Sequence, residues 1–484
     1  MLDKYLKFLK GAQSQKARAQ EAAADAPPKE GNAPPLPPLE PPNPQKNQII
    51  DTHDAGRASF VTSMLDIDTH GKPNQIEEML QRFLGHQPIS DEKCRIIGYE
   101  LKLKSKTPLP ATEAGATIEA MQDEMLIVSV IDLNFQQALS NKLTFIHLAL
   151  ATLYNPVINQ LPKQKVAVAI HLEPDTPLFH LARCQELINQ GIPIALEDFE
   201  YRIEHEAFLK LCKYVRIDTS KYDALVLSEQ IGHIMQAGSP LLIAKGVETD
   251  DAFEAYRKLA FNYFQGYHFA QLQPDSPQRL DNNRLRVMEM LNMVMNHADI
   301  SDLEEKVKLD AALSYKLLSY INSPANGLQQ TIHSIGHALV LLGYDQLYRW
   351  LTLLLFSAGH PDERSRALLK NALIRARFAE TLGQINLAPS EQGGLFIVGI
   401  FSVLDALLNT PMEKAVALLN LSEPVVDALM HGKGIYAPYL KLAKACEDFD
   451  QDTIEQCAAA CGLNADTVNL AHVKALIWAE ELEN

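Results

Sequence analysis

A chain of 484 residues exceeds what one ordinary hydrophobic core supports, so two or three folded units are expected. Hydrophobic residues make up 47% and charged residues 21%, the balance of a globular chain rather than a disordered or fibrous one. The formal net charge of −16 repels phosphate backbones and argues against nucleic acid as a partner.

Residues 1–25 open with a short amphipathic helix candidate. Leu2, Leu6 and Leu9 recur at helical spacing, with Lys4, Lys7 and Lys10 elsewhere on the wheel. Such a helix either docks on a partner or membrane surface, or frays without a role. The N-terminus lacks the unbroken apolar stretch of a secretory signal. No run approaches the length of a membrane span, so a cytoplasmic chain without a span is expected. Residues 26–73 form a Pro-rich linker containing APPKEGNAPPLPPLEPPNP, where proline density favours polyproline II and a stiff spacer. Residues 74–92 are read as a lead-in segment, with a helix over NQIEEMLQRFLG (residues 74–85).

From 93 to 275 the pattern alternates. Strand-like runs appear as CRIIGYELKLK, KLTFIHLAL, KVAVAIHL, IPIALEDF, YVRID, SPLLIAKGV and YFQGYHF. Helix-like stretches such as LFHLARCQELINQG and DDAFEAYRKLA lie between several of them. Alternation predicts an α/β unit with a parallel sheet, open or closed into a (β/α)8 barrel. Glu100, Glu197, Asp198, Asp218, Glu248 and Gln265 fall toward the C-terminal ends of these strands, the rim where a barrel carries its chemistry.

Residues 283–484 predict an all-α unit, with caps or breakers at Asp302, Asp310, Gly343, Gly383, Ser422 and Gly462. The apolar segment HALVLLGYDQLYRWLTLLLFSAG is interrupted by Gly343, Asp345 and Arg349 and reads as two core helices with a turn between. The six cysteines, Cys94, Cys184, Cys212, Cys446, Cys457 and Cys461, lack paired metal spacing. Cys457 and Cys461 are read as small apolar residues on a helix face.

Five segments of the first unit resemble the EAL family of cyclic di-GMP phosphodiesterases, in the family's order. IIGYELKLK looks like the strand bearing the name motif, IALEDF like the paired-acid strand, YVRID like the Lys-Ile-Asp strand, LIAKGVET like the Ala-Glu-Gly-Val-Glu strand and FNYFQGYHFA like the closing strand. In the second unit, DAALSYKLLSYINSPANG followed by TIHSIGHALVLLG is similar to HDOD domains. The joint resemblance implies a TIM-like barrel followed by a helical HDOD domain, in a bacterial signalling protein.

EAL enzymes hydrolyse a phosphodiester through water activated by two divalent ions, Mg²⁺ or Mn²⁺, held by oxygen ligands. Carried over by resemblance, Glu100, Asp198, Glu248 and Gln265 match the family, and Glu197 replaces an Asp with a longer carboxylate. His147 stands where the family has an Asn ligand, Ala169 and Lys245 replace ligand Glu residues, and Arg216 replaces a Lys. An ammonium repels a dication, and alanine offers no lone pair. The resemblance therefore leads to the expectation of a degenerate, non-catalytic barrel without metal or other cofactor.

Lys104, which matches a phosphate-contacting Arg, is a candidate nucleotide contact together with Arg216, Lys245 and Gln265. The alternative for the charged set is an internal salt-bridge network that holds the barrel mouth closed. In the second unit, Ser402 and Val403 occupy the His-Asp positions of the related phosphohydrolases; His333, His337 and His360 are read as capping or surface residues, and Asn322, Ser323 and Pro324 as helix terminators.

The reading is thus a signalling adaptor acting through contact of its EAL-like and HDOD units with another signalling protein, with cyclic di-GMP as candidate ligand and a homodimer as candidate assembly. Two alternatives stand beside it: a weak phosphodiesterase using metal on Glu100, Asp198 and Glu248, and a nucleotide-independent scaffold tethered by the N-terminal arm.

Overall fold

The computed structural model describes residues 83–104, 113–132, 142–273, 282–323, 330–358, 362–389 and 391–483. The N-terminal helix candidate, the Pro-rich linker, Pro324 and His360 lie outside the described residues.

The first unit is a closed barrel of eight strands in sequential order. The strands are β1 (Phe83–Ser90), β2 (Ile96–Lys104), β3 (Leu143–His147), β4 (Val166–His171), β5 (Ile194–Glu197), β6 (Tyr214–Asp218), β7 (Leu241–Lys245) and β8 (Tyr263–Gln265). Among the described residues five α-helices accompany them: α1 (Glu113–Asp132), α2 (Phe179–Asn189), α3 (Glu206–Leu211), α4 (Ala224–Ala237) and α5 (Asp250–Arg257). Neighbours from β2 to β8 pair in parallel, whereas β1 runs antiparallel to both β2 and β8. Strands walled in on both faces need continuous apolar runs, and VAVAIH and LLIAK supply them. Within the barrel, Phe145 and Tyr214 meet edge to face at 5.1 Å. The small side chains of Ala167, Ala169 and Ala195 share that buried cluster with the two rings.

The expected lead-in helix is corrected at its end. Phe83, Leu84 and Gly85 are extended and start β1, so the barrel begins ten residues before position 93. Pairing with β2 along its whole length, rather than helical periodicity, decides this stretch. The ladder between β1 and β8 holds only Ile89 and Ser90. The backbone of Leu84, farther from that closure, is met instead by side chains of the second unit.

That unit is helical throughout its described residues: α6 (Asn282–Met295), α7 (Ile300–Lys308), α8 (Ala311–Ile321), α9 (Ile335–Ser357), α10 (Glu363–Asn386), α11 (Gly393–Phe401), α12 (Leu404–Leu408), α13 (Met412–Val416), α14 (Glu423–Val426), α15 (Ala437–Asp448), α16 (Gln451–Ala460) and α17 (Ala465–Glu483). Asp310 caps α8 by accepting the Leu313 N–H, as its position predicts. Gly343, at φ 66° and ψ 169°, interrupts α9 and gives the expected break between two apolar halves. Gly383 is not a breaker: it lies inside α10, where a Cβ would sit 2.1 Å from Leu395 Cδ1. Asp302 lies in the first turn of α7, whose cap position is Asp299. Asn322 ends α8 and clamps Ile332, donating to its carbonyl and accepting from its N–H, both at 2.7 Å.

Barrel and helical unit share a core. The ring of Phe449 packs where a Cβ of Gly85 would stand, at 2.2 Å from Cδ1. On α17, Asn469 Oδ1 accepts the Leu84 N–H at 2.7 Å, and His472 Nδ1 donates to the Leu84 carbonyl at 2.9 Å. That carbonyl sets the tautomer, so His472 Nε2 accepts from His86 Nδ1 at 2.7 Å. Tyr99 and Lys370 both donate to Glu480 Oε1 at 2.7 Å.

Burial, reinforced by Arg375, lowers the pKa of His86 from 6.5 to about 3, and burial with His86 alongside does the same for His472. Both rings stay neutral when folded. Below pH 6.5 the unfolded chain takes up protons that the folded chain refuses, so stability is complete above that pH and falls as pH drops toward 3. Denaturant unfolding at pH 7 and pH 5.5 is expected to differ by at least ~1 kcal/mol. A His472→Gln chain should show a shallower slope, and a wild-type midpoint independent of pH would contradict the neutral pair.

Candidate functional site at the barrel mouth

Because β-strand side chains alternate, Glu100 on β2 faces inward while its neighbour Tyr99 faces the helical unit. Glu197 ends β5, Arg216 lies on β6, Lys245 ends β7 and Gln265 ends β8. The barrel brings all five together.

Arg216 is the hub. Its side chain is 0% exposed, and it meets Glu100 Oε1 at 2.9 Å and Glu197 Oε2 at 2.5 Å. It also donates to Gln265 Oε1 at 2.7 Å, and its guanidinium carbon lies 5.4 Å from the centre of the Phe145 ring. Gln265 is thereby oriented: its amide nitrogen donates to Glu100 Oε2 at 2.6 Å and to Gln87 Oε1 at 2.9 Å. Lys245 donates to Glu197 and, at 2.5 Å, to Asp198 Oδ1. Asp198 adopts a left-handed φ of 46°, and Lys221 reaches it from the turn after β6 at 3.3 Å.

Burial alone would raise the pKa of Glu100, but the Arg216 guanidinium, with Lys245 and Lys102 behind it, holds the carboxyl down at about 2. Asp198 is likewise pulled well below the usual range, chiefly by Lys245 working against burial. Burial opposes the charge on Lys245 as well, yet Glu197 keeps its pKa raised. Glu100, Asp198, Lys245 and Arg216 are each held in the charged form by an oppositely charged neighbour working against burial.

Other expected residues fall elsewhere. His147 ends β3 in register with Ala169, its pKa lowered by burial despite Glu197 nearby. Ala169 belongs to the apolar cluster inside the barrel. The Lys104 backbone pairs with Phe83 at the end of β2. Glu248 does not join Glu100 and Asp198. Gly246, at φ 75°, turns the chain after β7, and Glu248 Oε2 accepts the Tyr267 N–H at 3.1 Å. Burial, with Asp448 and Glu447 of α15 adding to it, raises its pKa. The metal set Glu100–Asp198–Glu248 is therefore not assembled.

No group of three or more His, Cys, Asp or Glu side chains among the described residues is disposed to hold a metal ion. The donor chemistry agrees, since the oxygens of Glu100 and Glu197 already face Arg216, Lys245 and Gln265. The residues present do not fit two dications. Sequence reasoning missed Lys221 and Gln87. A lysine three residues beyond the end of a barrel strand was the available signal for the first; the second lies on the strand that was not read as one.

In the helical unit, Ser402 accepts from Arg375 at 3.0 Å, and Arg375 grips Glu447 through two bonds of 2.8 and 2.6 Å. Val403 is buried, and His333 and His337 are exposed. All six cysteines are unpaired thiols. No described helix is long and apolar enough to cross a membrane.

A closed barrel with an antiparallel first strand, followed by a helical unit docked beside it, is the architecture that the resemblance to EAL barrels joined to HDOD domains implies. Residues 279–408 match the HDOD domain family model, which covers α6 to α12. The chain is 28% identical over 415 residues to the cyclic di-GMP phosphodiesterase CdgJ of Vibrio cholerae serotype O1, spanning 84% of this chain and 94% of that protein. It is 27% identical over 414 residues to the uncharacterized protein YuxH of Bacillus subtilis strain 168, spanning 83% and 98%. Among solved structures, the EAL domain protein from Listeria monocytogenes EGD-e is similar at 19% identity and a TM-score of 0.34, covering 42% of this chain and 93% of that one.

The expectation that the chain is no enzyme is overturned by these relatives, because a protein that aligns along most of its length is named a phosphodiesterase. Ligand positions counted by resemblance fix the charge at the mouth, but they do not decide whether a reaction proceeds there.

Removing one partner of a buried ion pair strands the other charge, at a cost of ~3–5 kcal/mol, whereas a mostly exposed pair contributes ~0–1 kcal/mol. Arg216→Ala is therefore expected to lower unfolding free energy by about that larger amount and Lys221→Ala by less than ~1 kcal/mol. Similar losses in the two variants, measured by urea denaturation, would contradict the hub role.

Proposed function

We propose that this chain acts in cyclic di-GMP signalling: the barrel mouth responds to the nucleotide, and the HDOD unit passes the response to another protein by direct contact. The single observation that carries this reading is β2. Glu100 binds the Arg216 hub, and adjacent Tyr99 donates to Glu480 of α17. A ligand that draws on Lys245 or Arg216 changes the load on Glu100, and one peptide unit away lies the contact to the helical unit. The nucleotide is chosen because a relative aligned over both units bears cyclic di-GMP in its name.

A second reading, hydrolysis of cyclic di-GMP at the same mouth, is favoured by that relative's name.

Titration calorimetry of the full chain with cyclic di-GMP is expected to show saturable binding that Lys245→Met weakens at least ~10-fold, the loss of one charge-assisted contact. Hydrogen exchange should then change in α17 on nucleotide addition, and Tyr99→Phe should leave binding intact while reducing that change. Absence of binding at millimolar nucleotide would sink the proposal. Product chromatography with Mg²⁺ or Mn²⁺ present decides the second reading.

A further inference from the structure

The barrel mouth presents an electrostatic demand that something must meet. Glu100 and Glu197 are 3% and 5% exposed, and they approach a common centre from β2 and β5. Two buried carboxylates near one another do not both ionise unless a cation lies between them. Here the cation is covalently part of the chain. Arg216 touches both, is 0% exposed, and its charge persists at any accessible pH, since guanidinium stays protonated below ~12. Gln265 and the Phe145 ring hold it on two further sides. Lys245, 15% exposed, supplies a second fixed cation between Glu197 and Asp198.

We infer that Arg216 and Lys245 are built-in counter-ions that let this mouth fold without a divalent ion, and that the Arg216 guanidinium covers a latent cation site formed by Glu100, Glu197 and the Gln265 carbonyl. These three groups offer hard oxygen donors of the kind Mg²⁺ and Mn²⁺ select, and each now points at the guanidinium. The inference concerns the chain's own charge balance and does not depend on whether cyclic di-GMP binds.

The test uses the full chain and Mn²⁺ alone. Wild-type protein should melt at the same temperature in EDTA and in millimolar Mn²⁺, and paramagnetic resonance should detect no uptake that Glu197→Gln removes. Arg216→Ala should melt lower in EDTA, recover several degrees with Mn²⁺, and take up about one equivalent of the ion, the number one vacated cation position admits. Should Arg216→Ala fail to fold in either condition, Lys245→Ser decides: it frees Glu197 and Asp198 and should gain Mn²⁺ uptake that wild type lacks. Glu197-dependent uptake by wild type, a lower wild-type melting temperature in EDTA, or a folded variant indifferent to Mn²⁺ would overturn the inference.

Discussion

A guanidinium with no solvent contact dictates much of this molecule. Withdrawing an ion from water costs several kcal/mol even after relaxation, and only well-placed opposite charges and hydrogen bonds offset that cost. Arg216 points into the barrel from β6, so the compensating groups come from the neighbouring β5 and from β2 and β8 farther round the wall. Glu100, Glu197 and Gln265 do so; Gln265 is tied in turn to Gln87 and to Glu100, and Glu197 to Lys245. The result is a polar plug whose parts stabilise one another and which none can leave singly. Such a plug specifies strand register as well as charge, because a one-residue slip of β6 would turn Arg216 toward the outer face.

The second organising feature is the junction between barrel and helices. The ladder between β1 and β8 holds only Ile89 and Ser90; beyond it the Gly266 N–H and the Tyr267 hydroxyl donate to the Pro88 and His86 carbonyls, and the edge at Leu84 would be open to stray pairing. Asn469 and His472 of α17 satisfy the Leu84 backbone there, and Tyr99 and Lys370 converge on Glu480 behind them. Arg364 adds a tie on another side, donating to Gln273 at 3.1 Å and to the Gln271 carbonyl. The helical unit thus completes the barrel wall instead of merely following it in sequence.

Much of this was legible in the residues. The seven strands after β1 stand out because buried parallel strands are apolar throughout, and the helical unit stands out because its apolar spacing changes to the helical period. β1 was not legible: FLGHQPIS mixes Gly85, His86 and Pro88 with few apolar residues, since its outer face is shaped by α15 and α17, hundreds of residues away. The charged set at the mouth could be named from strand ends, and a salt-bridge network was among its readings. Glu248 could not be placed, because a left-handed Gly246 between it and Lys245 turns the chain. Whether catalysis occurs was beyond ligand counting, which reports charge and lone pairs but not what a rearranged mouth achieves.

The seat of Phe449 against Gly85 has a consequence for how the chain can be divided. The change from barrel to helices suggests separable modules, with a cut falling between β8 and α6. Such a cut would leave the barrel fragment with a notch where an aromatic ring belongs and with the Leu84 backbone stripped of its α17 partners. The helical fragment would expose His472 and Phe449 to water. Boundaries of descent and boundaries of cooperative folding do not coincide here, so each half is a part rather than a portable piece.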